Sequence, residues 1–169
     1  VSSQTYQSPG IAMRSPTLWG GAAAGGLVAG VGMGLLMHFL MNAMPLVGAL
    51  YGQPTVAAGW FAHLFHSVVF ALLFAGVITS TSFREYGVLR ITGLGAAYGI
   101  VLELVAAGIV LPVWANAVGA AALPVPFLLP IGFLTHLVYG VLLGAIFGVV
   151  LTRERSRTAT RDRSERPAA

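Results

Sequence analysis

The chain has 169 residues, of which 57% are hydrophobic and 8% charged, with a formal net charge of +4 and no cysteine. A soluble domain carries about a quarter charged residues, so this composition and a mean hydropathy of +0.85 exclude an ordinary soluble enzyme. The missing cysteine excludes disulfides, thiolate metal sites and cysteine nucleophiles, which leaves an all-α integral membrane protein with room for one small bundle.

Residues 1–17, with Arg14, read as a cytoplasmic N-terminal segment. No secretory signal stands out, because the first oily run lacks a small-residue cleavage pattern before a soluble domain, and that run reads as a retained span. Residues 18–151 read as a bundle of four transmembrane helices, at about 18–44, 57–80, 89–111 and 127–151. Each is long enough for a hydrocarbon core ~30 Å thick at about 1.5 Å per residue. Pro45 is expected to end the first helix and Pro112 the third. Pro124, Pro126 and Pro130 mark an extended approach to the fourth, with Pro130 tolerable in its first turn. The polar stretch from Ser80 to Glu85 separates the second helix from the third. Residues 152–169 form an Arg-rich tail with interleaved acids, which reads as a disordered cytoplasmic segment. Its arginines supply most of the isoelectric point of about 10.1. No fold or aromatic platform accompanies them, so nucleic acid is not an expected partner; anionic lipid or a protein partner stays open.

Orientation follows from the arginines. Arg14, Arg84, Arg90 and the tail fall on one side, and the connections 45–56 and 112–126 carry no charge. The excess of positive charge on cytoplasmic loops places both termini inside the cytoplasmic membrane. Tyr51, Trp60 and Trp114 then fall at the outer interface and Trp19, Phe83 and Tyr86 at the inner one, as an aromatic belt requires.

Residues 59–79 align without gaps with 132–152, matching Gly59 to Gly132 and His63 to His136. Gly30, Gly34 and His38 echo Gly95, Gly99 and Glu103 more faintly, so the chain reads as two repeated helical hairpins. Each helix also carries small residues four apart on the face of a polar side chain. Gly30 and Gly34 lead to His38, Gly95 and Gly99 to Glu103, and Gly140 and Gly144 follow His136. Such rows let membrane helices approach closely and mark the inward faces.

The four histidines and the one acid inside a span fall at similar depth, near the uncharged connections. Ionisable groups in hydrocarbon face the interior and pair with one another. One reading is a hydrogen-bonded lock between Glu103 and imidazoles. A second is a ligand set of His38, His63, Glu103 and His136 for a divalent transition metal such as Zn²⁺, Fe²⁺ or Cu²⁺, or a b-type haem on two axial histidines. A third is a proton or small-solute path, which the inner halves of the helices do not extend with a second ionisable group. His66 reads as a packing or interface residue. Tyr139, which replaces His66 in the repeat, is placed to hydrogen-bond the layer. Met33, Met37, Met41 and Met44, near the face of His38, read as packing filler.

The stretches GWFAHLFHSVVFALLFAG, GAAYGIVLEL and THLVYGVLLGAIFG resemble a family of small four-helix membrane proteins of unknown function from archaea and bacteria. The resemblance spans all four helices and implies a fold without an activity. The leading expectation is a non-catalytic accessory or assembly subunit in contact with lipid and other membrane subunits or copies of itself. A metal- or haem-binding protein is the alternative.

Overall fold

A computed structural model describes residues 16–164; the segment with Arg14 and residues 165–169 lie outside the described residues. The order is α1 (Pro16–Met41), α2 (Met44–Ala49), α3 (Val56–Ser80), a 3-10 turn (Ser82–Glu85), α4 (Val88–Leu102), a π-helical segment (Glu103–Val110), α5 (Leu111–Ala117) and α6 (Pro130–Ser164). α4, the π segment and α5 form one continuous rod, Val88–Ala117. That rod, α1, α3 and α6 are each long and apolar enough to cross a membrane. Their outer faces suit acyl chains: Phe39, Phe61 and Leu89 are 74%, 78% and 85% exposed, which water would penalise.

Three boundaries differ from the sequence reading. Pro45 does not end the first span. α1 stops at Met41, Asn42 turns the chain with a φ of 49°, and Pro45 sits in the first turn of α2. A missing N–H costs nothing there, and asparagine is among the few residues that tolerate left-handed backbone. Pro112 does not end the third span either. It lacks the N–H that would bond the Gly108 carbonyl, and the backbone N–H of Phe127 supplies one instead at 2.8 Å. The π segment just before Pro112 and this borrowed donor carry the helix through it. The Arg-rich tail, expected to be disordered, continues α6 as helix to Ser164. Arg155 anchors the extension by donating to the carbonyls of Arg84 and Tyr86, each at 3.0 Å. Pro130 does open α6.

α6 lies between α1 and α4, and α1 also packs on α3. Glycine sets the closest of these seams. A Cβ on Gly95 would collide with the Gly140 carbonyl oxygen and lie 2.8 Å from the Gly144 Cα. Gly99 meets the His136 carbonyl in the same way. On α1, a Cβ on Gly30 would lie 2.6 Å from Ser67 Cβ, and one on Gly34 2.5 Å from the Trp60 ring. Gly21 abuts Val150 of α6, whereas Gly20 faces open space.

The fourth side is different. α3 and α4 hardly meet as backbones, and aromatic rings hold them apart. Phe74 lies 5.3 Å from the Tyr98 ring and 6.0 Å from Phe147, and the Tyr98 hydroxyl donates to the Phe70 carbonyl at 2.9 Å. Three sides are therefore close seams, and the fourth is a propped gap.

Substitution Gly95→Val should destabilise the bundle by about 1–3 kcal/mol through overpacking. Gly93→Ala, where an added Cβ meets nothing within 4 Å, should stabilise it by about 0.5–1 kcal/mol through helix propensity. Unfolding of the two variants in detergent micelles checks the contrast; a tolerated Gly95→Val would show the seam to be looser than described.

Candidate functional site

The polar residues of the sequence layer come to the end of the bundle that carries α2 and α5, but they divide into separate groups. Glu103 opens the π segment and is 1% exposed. Its carboxyl lies over Gly132 in the first turn of α6, where a Cβ would sit 2.8 Å from the carboxyl carbon. Only glycine leaves that space. One turn on, His136 points back along its helix, as a residue four positions on does. Its Nδ1 is 3.0 Å from the Gly132 carbonyl and 2.8 Å from Glu103 Oε2. Nδ1 can direct only one proton, and the line to Gly132 is the one with hydrogen-bond geometry. Oε2 is thus beside the imidazole but has no aligned donor among the described residues. Thr135 also donates to Gly132, at 2.9 Å, which fixes this turn further.

His63 belongs to the α1–α3 seam, where its Nε2 donates to the Gly30 carbonyl at 2.9 Å. One turn deeper, Ser67 donates to the His63 carbonyl at 2.8 Å. The Tyr139 hydroxyl crosses from α6 to the Ser67 carbonyl at 2.5 Å. His66 faces the other way: its Nε2 is 2.6 Å from the Tyr51 hydroxyl, beside a Tyr51–Trp114 ring contact at 5.1 Å. His38 contacts the rings of Phe39 at 4.7 Å and Trp60 at 6.2 Å. Its Nδ1 is buried without a partner among the described residues.

The expected ligand set of His38, His63, Glu103 and His136 therefore does not assemble. Of the four, only Glu103 and His136 bring their side chains into polar contact, and no group of three or more His, Asp or Glu among the described residues is placed to hold a metal ion. The physical reason is register. His63 and His136 hold equivalent positions on α3 and α6, but His63 faces α1 and His136 faces the π segment. His38 stacks against the far side of α3 at Trp60.

Two cavities flank this layer. The larger, about 180 Å³, lies in the gap between α3 and the π segment and is lined by His63, His66, His136, Tyr139 and Trp114 among mostly apolar residues. The smaller, about 80 Å³, is lined by Glu103, His136 and the side chains of Met33, Met37 and Met41. His136 is in the wall of both. Neither has the volume of a haem. Of the methionines read as packing filler, Met44 is fully buried, whereas Met33, Met37 and Met41 line cavities. Tyr51 and Trp114, read only as interface aromatics, close the rim; their pairing across two connections has no signal in the local sequence.

The loop before α6 is pinned from α5. Asn116 donates to the Leu123 carbonyl at 2.9 Å and accepts from the Leu123 N–H at 2.8 Å, which sets the approach that places Gly132 under Glu103. Comparison with protein-family models, with curated proteins and with solved structures gives no match to the chain. The site is therefore read from its own geometry.

His136→Ala should cost about 1–3 kcal/mol by leaving Glu103 and the Gly132 carbonyl without the imidazole. Glu103→Ala should cost less in that background than alone, because the two groups are in contact. His38→Phe should be neutral or stabilising, since it keeps the ring contacts and removes a buried unpaired nitrogen. Thermal unfolding of the three variants in micelles distinguishes these outcomes.

Proposed function

We propose that the chain is a small polytopic protein of the cytoplasmic membrane without catalysis of its own, acting as an accessory or assembly subunit. The observation that carries this reading is how the imidazoles are used. His63 ties α3 to α1 through Gly30, His66 ties α3 to the α2–α3 connection through Tyr51, and His136, bonded to Gly132 of its own helix, lies against Glu103 of the π segment. Polar groups in hydrocarbon pair in this way with neighbouring elements and stabilise a bundle without chemistry. Among the described residues, no nucleophile with an aligned base and oxyanion donors accompanies them. Ser67, the nearest hydroxyl to His63, is bonded to that residue's carbonyl.

Both termini and the turn around Arg84 are cytoplasmic in this reading, on the strength of the arginine distribution. Arg155 bonding to Arg84 and Tyr86 supports it by putting the tail and that turn on one side. Two repeated hairpins are supported by packing, in a shifted register. Gly26 meets Ala71 and Ser67, as Gly95 meets Gly144 and Gly140. The better pairing is Gly26 with Gly95 and Gly30 with Gly99, which leaves His38 without a counterpart.

The subunit reading is tested by solubilising native membranes in a mild detergent and isolating the tagged chain. A membrane partner in stable stoichiometry is expected; a monodisperse protein with no partner would remove the reading. Orientation is checked on the cysteine-free background. Gln53→Cys should react with an impermeant maleimide added to intact cells, and Ser82→Cys only after lysis.

A further inference from the structure

We propose that the larger cavity binds a lipophilic aromatic alcohol, a single ring bearing a hydroxyl that donates a hydrogen bond, of the phenol or hydroquinone class. The inference goes beyond the subunit reading and does not depend on any partner.

The argument begins with the ring nitrogens that the helix locks do not use. A backbone carbonyl can only accept, so the His63 Nε2 facing Gly30 carries the proton. In the neutral imidazole, Nδ1 is then an acceptor. The His136 Nδ1 facing the Gly132 carbonyl carries its proton by the same logic, which makes Nε2 the acceptor. Neither acceptor nitrogen has a partner among the described residues, and both rings line the same cavity. The tautomers are set by backbone that does not move with the ligand. The cavity thus presents two fixed lone pairs in apolar walls, and it calls for a donor.

Size and access narrow the ligand. An apolar cavity of about 150 Å³ accommodates benzene, so about 180 Å³ takes one substituted six-membered ring and little more. A bare metal ion would leave most of that space empty, and among the described residues no third histidine or carboxylate is placed to complete a coordination shell. The open side faces the gap where α3 and the π segment fail to pack, beside Val110, which is half exposed. A ligand arriving there comes through the membrane interior and must be lipophilic. The walls suit a ring: Trp114 lies on one side and Phe70 on another. At the rim the protein already makes the same contact with itself, a phenol on an imidazole, between Tyr51 and His66.

The test uses the full chain in nanodiscs of zwitterionic lipid, with 2,6-dimethylhydroquinone as probe and tryptophan fluorescence as readout. Saturable quenching is expected, and Trp114→Phe should abolish it. The dimethyl ether of the probe keeps the shape and loses the donor, so it should bind at least about tenfold more weakly, in line with the cost of an unmade hydrogen bond. His63→Phe and His136→Phe should each weaken the probe by a similar factor. Ala106→Phe, which fills the cavity from the π segment and touches neither lock, should abolish binding with the helical circular dichroism unchanged, and it decides the matter if a histidine variant does not fold. Equal binding of the ether would mean a cavity that any ring can occupy and would overturn the proposal. So would no saturable quenching, or binding that survives Ala106→Phe. Displacement of the probe by an isoprenoid-tailed hydroquinone in the disc would assign the ligand to the bilayer, and failure to displace it would assign a small diffusible phenol; both keep the site.

Discussion

The contact on which the rest depends is backbone against backbone at Gly95 and Gly140. No side chain intervenes there, so α4 and α6 approach until the carbonyl of each meets the other's Cα region. Lipid gives helices no hydrophobic reason to associate, and close packing supplies the attraction instead. The approach also fixes a register. Two turns along α4 from Gly95, Glu103 is set down on Gly132, the one residue of the first turn of α6 with room for it. His136 is held beside the carboxyl by the same helix. A looser seam would lift Glu103 from its cradle and leave a carboxyl in hydrocarbon with no imidazole nearby.

Irregular backbone is the second consequence. A straight α-helix from Val88 to Ala117 would meet Pro112 with an unpaired Gly108 carbonyl inside the membrane, where no water can reach it. The π segment and the Phe127 N–H remove that cost. The larger cavity borders this irregular stretch, with Ala106, Ala107 and Val110 in its wall and the Tyr51–Trp114 ring contact at its rim. π-helical turns recur at functional sites, and here the segment borders unfilled volume beside two imidazoles.

Each histidine of the layer has its own role. His63 joins α3 to α1 with one nitrogen, His136 bonds its own helix at Gly132 beside Glu103, and both rings line the cavity. His66 pairs with a phenol at the rim, and His38 packs as a ring with one nitrogen unmatched. A single depth in the membrane therefore contains locks, a cavity wall and a misfit, and depth alone does not distinguish them.

The sequence by itself determined the membrane class, the four spans and the faces that pack. These follow from quantities local to one helix: run length, apolar content and four-residue spacing. Gly30, Gly34, Gly95, Gly99, Gly140 and Gly144 stand in seams because small residues on one face have few other uses in lipid. Only the tertiary structure decided what Pro45 and Pro112 do, since their outcome depends on Asn42 and on a donor from Phe127 beyond the next turn. It alone separated His63 from His136. The two hold the same position on similar helices, and what each meets depends on the rotation of its helix and the neighbour on that side, α1 in one case and the π segment in the other. The cavity was illegible for the same reason: it is the space left where two helices do not meet, and no residue encodes it.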